Sequence, residues 1–313
     1  MEESSQPKPL MTDLRCVKGI AVSSRFSEDG YNAFYNLDFK PDDIVALTFA
    51  KCGTTFLQKI LYLLTRLDET GDFPPTYDSA KDTVALGQFY LDWMHRDKGH
   101  GPYPDNTIDD IVNQPSPRIF STHLRPEMAP PHVADKARVV YMLRNPKDTF
   151  VSFHHMVAKM RGGVQGGWLG TPEHQGTYSY YMEGSYFEHL KAMQTFIDEQ
   201  ANGRVLVLYY EDVVTNVRDH VRKLAAYLNV PLSDAKLDAI VTKSSFPNMQ
   251  AAAPEHRQML FRKGGNGDWK NYIDTVDKDG MPTPSAEQWQ RFDDELAKLK
   301  DLPLAQPLFQ WMN

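Results

Sequence analysis

Only two cysteines, Cys16 and Cys52, occur in 313 residues. Two thiols close at most one bridge, so a disulfide framework is excluded, and a chain of this length buries enough surface to need none. Such sparing use of cysteine fits a reducing, cytoplasmic setting. Long apolar runs are missing too: nowhere do about 18 apolar residues follow one another, as a spanning helix requires. The opening MEESSQPKPL lacks both the basic start and the apolar stretch of a secretion signal. Positive charge is in deficit, with 34 Lys and Arg against 41 Asp and Glu and a net charge of −7. Broad electrostatic binding to nucleic acid is therefore not expected, and an anionic ligand needs a local basic cluster. No Pro, Gly or Ser-rich linker divides the chain, which predicts a flexible lead over 1–25 and a single domain over 26–313.

What is present centres on Ile44 to Phe56, IVALTFAKCGTTF. Ile44 to Phe49 is almost continuously apolar or β-branched, the pattern of a strand buried on both faces of a parallel sheet. Beyond Gly53 the period becomes helical, with Phe56, Leu57, Ile60, Leu61, Leu64 and Leu67 on one face. Strand, turn and helix in that order aim the first N–H groups of the helix at the carboxyl edge of the sheet, which makes an anion site. Lys51, Gly53, Thr54 and Thr55 supply a charge, a close backbone approach and two hydroxyls. The ATPase P-loop spacing is absent, because the lysine precedes the glycine.

Further strands are predicted at Arg118 to Thr122, Arg138 to Leu143 and Arg204 to Tyr210, so the fold class is α/β. His123 follows the first of these, and Arg144 ends the second. Asn145 suits an N-cap, and Ser152 rises along the helix that follows. Helices are also expected over 186–200, 213–228 and 285–300, and a loop with one helical turn over 26–39. The glycine-rich stretch 161–178 reads equally as a mobile lid over an acceptor site or as a disordered surface insertion. Phe89, Trp93 and Met156 are candidates for the apolar wall of that site. No paired carboxylates suggest a metal.

Several stretches together resemble the cytosolic sulfotransferases. Thr48 to Phe56 matches T-Y-P-K-S-G-T-T-W, Thr122-His123-Leu124 matches T-H-L, and Arg144 to Ser152 matches R-N-x-K-D-x-x-V-S. Tyr210-Glu211-Asp212 resembles Y-E-D, and Ser244 to Met249 resembles T-S-F-x-x-M. Arg262 to Asn271 follows R-K-G-x-x-G-D-W-K-N. The resemblance implies a P-loop-like three-layer fold with a central, mainly parallel sheet. It implies 3′-phosphoadenosine 5′-phosphosulfate (PAPS) as sulfuryl donor, the desulfated nucleotide PAP as product, no metal and a small-molecule hydroxyl or amine acceptor. Position by position, Lys51 and residues Cys52, Gly53, Thr54 and Thr55 would hold the 5′-phosphosulfate. Arg144, Ser152, Arg262, Lys263 and Gly264 would take the 3′-phosphate, while Phe56, Tyr210, Ser244, Phe246 and Met249 would surround the adenine. His123 would be the general base, Lys51 would stabilise the leaving phosphate, and Ser152 would hold that lysine back until acceptor arrives.

The chain departs from the family pattern in places. Cys52 stands for serine, and its place beside Lys51 at a helix start predicts a lowered thiol pKa. Phe56 stands for tryptophan, and Ser121 for a lysine. The dimer motif is broken between Lys270 and Asp279, which implies a monomer or a weak homodimer. The alternatives are a small-molecule kinase and a non-catalytic nucleotide-binding relative.

Overall fold

A computed structural model describes residues 14–17, 20–23, 25–79, 82, 84–85, 87, 89–100, 105–160, 185–200, 204–277 and 283–312. Four strands form the central sheet: β3 (Ile44–Thr48), β4 (Ile119–Thr122), β5 (Arg138–Leu143) and β6 (Val205–Tyr209). Their order is β4-β3-β5-β6 and every pairing is parallel. Ala46 lies opposite Ser121 on one side and Val140 on the other.

All five residues of β3 are buried, because both faces of the sheet are covered. Ile44, Ala46, Ile119, Val140 and Met142 face one core, while Val45, Leu47, Phe120, Val139 and Tyr141 face the other. Three helices close the first core: α2 (Thr54–Arg66), α8 (Val217–Leu228) and α9 (Asp234–Lys243). The second is closed by α5 (Pro146–Met160), α6 (Ser185–Gln200) and α11 (Ala286–Ala297). The result is the expected three-layer α/β arrangement. Parallel strands deliver every carboxyl end to one edge, so Lys51, His123, Arg144 and Tyr210 emerge together.

Three expectations need correction. Part of the stretch read as a flexible lead is ordered as an antiparallel hairpin, β1 (Leu14–Val17) with β2 (Ile20–Ser23). Val22 packs with Phe26, Tyr31, Leu124 and Met128, a small apolar cluster that no local period announces. The stretch read as a loop with one turn contains α1 (Glu28–Tyr35), started by the Ser27 side chain, which accepts from Gly30 N–H, and held by buried Tyr31 and Phe34. The helix expected over 213–228 starts at Tyr210 and breaks at Asn216, giving α7 (Tyr210–Thr215) before α8. Asn216 caps α8 through its side chain, which accepts from Asp219 N–H. The glycine-rich stretch 161–178 lies outside the described residues, as does Asp279 of the altered dimer motif. Among the described residues no helix is long and apolar enough to cross a membrane.

Candidate active site

The turn after β3 is shaped by two positive backbone angles, φ 69° at Lys51 and 91° at Gly53. Gly53 caps α2, and a Cβ there would come within 2.5 Å of the Tyr210 ring and 3.0 Å of Met142 Sδ. Only glycine therefore fits between that ring and the open side of the turn. Thr48 Oγ1 lies 2.7 Å from Thr54 Oγ1, tying the strand end to the first turn of the helix.

His123 stands one residue past β4. Its Nδ1 is 2.8 Å from the Thr48 carbonyl oxygen, which can only accept, so Nδ1 carries the proton. Nε2 is then the lone-pair side, 3.1 Å from the Tyr90 hydroxyl. Burial, with a smaller contribution from the Lys51 charge, pushes the His123 pKa down to about 4. The ring is neutral at pH 7.

Beyond β5, α5 opens with Asn145, whose side-chain oxygen accepts from Lys147 N–H and whose own N–H donates to Glu211 Oε1 at 2.9 Å. Burial raises Glu211 to about 7, against the lowering effects of that bond and of Arg144. The Arg144 guanidinium lies 4.4 Å above the Tyr210 ring and donates to the carbonyls of Lys51 and Gly265. Lys147 turns away instead: it is buried over Trp269 and bonded to Asp293 and the Met312 carbonyl, so it serves the fold. The adjacent Asp148 accepts from Gly267 N–H and Trp269 N–H, which fastens the loop of Arg262, Lys263 and Gly264 to the start of α5. Arg262 and Lys263 both pair with Asp268. Gly264 has φ 68°, and a Cβ on it would come within 2.3 Å of the Phe246 ring.

One cavity of about 1050 Å³ joins these parts. Lys51, Gly53, Thr54, Thr55, Phe56, His123, Arg144 and Ser152 line it, as do Tyr210, Ser244, Phe246, Met249, Arg262, Lys263 and Gly264. Trp93 and Met156 line it as expected for an acceptor wall. Two buried polar atoms on its lining residues, Arg144 Nε and Ser244 Oγ, have no hydrogen-bond partner. A cavity with six cationic side chains, two such buried atoms and two glycines in close backbone approach fits an anionic nucleotide.

The family model for the sulfotransferase domain matches residues 41–281. The chain belongs to the sulfotransferase family. Among named relatives, sulfotransferase 1E1 of Homo sapiens is 30% identical over 82% of this chain and 86% of its own length. Sulfotransferase 1C2 of Oryctolagus cuniculus is 28% identical over 84% and 88%. The crystal structure of mouse sulfotransferase SULT7A1 with PAP superposes with a TM-score of 0.70 at 21% identity, covering 95% of this chain and 99% of that one. A retinol dehydratase in complex with androsterone and PAP gives 0.60 at 19% identity, over 88% and 87%. Family membership sets aside the kinase alternative.

Two expectations fail within this sulfotransferase site. Phe89 does not line the main cavity; it lines an adjoining one of about 140 Å³, whose walls include Gln58 and Met249 of the main cavity. The short 3₁₀ turn Leu91–Trp93 explains this, because three residues per turn place Tyr90 and Trp93 on the same side and Phe89 on another. Tyr90, of the same aromatic segment as Phe89 and Trp93, lines the main cavity in its place, at a spacing of three from Trp93. Arg25, Asp105, Asn106 and Arg257 also line the cavity, and no sequence motif marked them.

Cys52 is the second failure. Its side chain is fully buried in the core, with Sγ 3.8 Å from Thr149 Oγ1, and its N–H donates to the Phe49 carbonyl at 3.2 Å. Burial pushes the thiol up to about 12, overriding the helix start and the nearby Arg144. The native protein should therefore leave Cys52 unalkylated by iodoacetamide at pH 7.5, with or without PAP, and should yield it only on unfolding. Prompt labelling of Cys52 in the native state, mapped by peptide mass, would contradict this placement.

Proposed function

We propose that this sulfotransferase uses PAPS as donor and a small molecule bearing a hydroxyl as acceptor, with His123 as general base. The observation that carries this reading is a neutral imidazole, anchored through Nδ1–H to Thr48, whose Nε2 side borders the cavity that Lys51, Arg144, Arg262 and Lys263 also line. PAPS supplies the sulfuryl group and leaves as PAP, and PAP is the nucleotide in both superposed relatives.

Lys51 and the N–H groups of Gly53, Thr54 and Thr55 form the half of the site suited to the 5′-phosphosulfate. Arg144, Ser152, Arg262, Lys263 and Gly264 form the half suited to the 3′-phosphate, and Phe56, Tyr210, Ser244, Phe246 and Met249 enclose the base. Nε2 of His123 takes the proton of the acceptor hydroxyl. Lys51 places its charge where negative charge builds on the leaving side. Ser152 lines the same cavity and can hold the Lys51 side chain until acceptor binds. Tyr90, Trp93 and Met156 give the acceptor apolar walls, and Tyr90 and Trp93 pack directly against His123.

Calorimetric titration with PAP in the absence of magnesium tests the nucleotide half of this reading. Saturable binding is expected, and Arg262→Ala should weaken it by roughly 10- to 100-fold, the loss of one charge-assisted bond. Absence of binding by the unaltered protein would overturn the reading.

A further inference from the structure

The atom that must accept the proton already has a partner. Tyr90 Oη lies 3.1 Å from His123 Nε2, and because Nδ1 holds the imidazole proton, the phenol is the donor. Several contacts keep Tyr90 in place. Its ring stacks on Trp93 with centroids 4.0 Å apart and planes 10° from parallel, and it leans on the imidazole at 5.1 Å. Trp93 in turn carries the Arg25 guanidinium at 5.6 Å. The neighbouring backbone is fastened as well, since Ser121 N–H donates to the Phe89 carbonyl at 2.7 Å and Trp93 N–H to the Tyr90 carbonyl at 3.2 Å.

We propose that Tyr90 is a stopper on the catalytic base: its hydroxyl occupies Nε2 of His123 until an acceptor hydroxyl displaces it, and so keeps water off that atom in the acceptor-free enzyme. This rests on His123 being the base. The exchange is one O–H donor for another, so a hydroxyl acceptor enters at little cost. A neutral amine offers a weaker N–H donor, and the stopper therefore selects hydroxyl acceptors. It also has a protective role. A water held at Nε2 with donor bound would attack sulfur through its oxygen, the bond from sulfur to the phosphate oxygen would break with its electron pair going to the phosphate, and the water proton would pass to Nε2. Sulfate and PAP would form with no acceptor modified.

Tyr90→Phe keeps the ring and its stacking on Trp93 and removes only the hydroxyl. The test is carbethoxylation of the full chain by diethyl pyrocarbonate at pH 7 without nucleotide, mapped to individual histidines by mass spectrometry. The rate at His123 should rise on the order of tenfold in Tyr90→Phe, the effect of removing one ordinary hydrogen bond from the attacking nitrogen. The rate at exposed His132 should stay the same in both proteins. Equal rates at His123 would overturn the proposal. With PAPS added and acceptor withheld, sulfate release should also rise in Tyr90→Phe, and an unchanged or slower release would overturn the protective role. Turnover by His123→Ala separates this result from the base assignment: full activity there would remove the base, whereas the carbethoxylation rates report only whether Tyr90 covers Nε2.

Discussion

Replacement of His123 by alanine lowers turnover by roughly 10²- to 10⁴-fold, the usual contribution of a positioned general base. PAP affinity should change far less, because in the proposed reading the nucleotide is held by Lys51, Arg144, Arg262 and Lys263, which line the cavity apart from that ring. The pH profile of the unaltered enzyme carries independent information. A solvated imidazole would lose its lone pair to protonation near pH 6.5. In this protein burial and Lys51 lower that value to about 4, so Nε2 stays available through the whole neutral and mildly acid range. The sign follows directly: kcat/KM stays level as pH falls from 8 to about 5 and declines only as pH approaches 4. A break near pH 6.5 in the free enzyme would contradict the partly buried, neutral base, and unaltered turnover in His123→Ala would remove the assignment.

Asp43→Ala destabilises the fold by about 3–5 kcal/mol, the cost of leaving a buried charge without its partner. Asp43 is fully buried, and the Arg118 side chain beside it is 5% exposed. Arg118 Nε donates to Asp43 Oδ1 at 2.8 Å, and a second guanidinium nitrogen bonds the other carboxylate oxygen. The same guanidinium donates to the carbonyls of Asp38 and Val112, while Asp43 accepts from Lys40 N–H. Backbone bonds extend the joint, from Ile44 N–H to the Arg118 carbonyl and from Arg138 N–H to the Asp43 carbonyl. Three strands thus begin from one ion pair, at the edge opposite the cavity. Urea denaturation should show the loss, while the folded variant binds PAP with ordinary affinity. Asp43→Leu combined with Arg118→Met should recover much of the stability, because an apolar pair leaves no charge unpartnered. A loss below about 1 kcal/mol in Asp43→Ala would mean that this joint does not hold the sheet edge.

Where function depends on residues adjacent in sequence, the chain is readable. β3 announces itself because burial on two faces demands an unbroken apolar run, and the turn of Lys51 and Gly53 follows it directly. Asn145 shows its capping role through position alone. Features that arise from meetings between distant segments are not readable in this way. Neither the β1–β2 pair nor α1 carries a clean period, and each is settled by packing against Leu124, Met128 or the core. Cys52 looked activated because the sequence shows its neighbours along the chain and hides Thr149 and the core that buries it. Phe89 and Tyr90 are equivalent aromatics on paper, and only the tight turn after them decides which one meets His123.

The pairing of Arg262 and Lys263 with Asp268 has a consequence for how a nucleotide enters. Burial raises the Asp268 pKa, but the bonds from Lys263, Arg262 and Asn271 outweigh it and hold the carboxylate in its ionised form. The basic loop therefore brings its own counter-ion and does not depend on salt from solution to offset two adjacent like charges. In the proposed site an arriving phosphate would compete with a resident carboxylate for the same cations. In the proposed donor site the free energy of capture is therefore a difference between two attractions and not the whole of one.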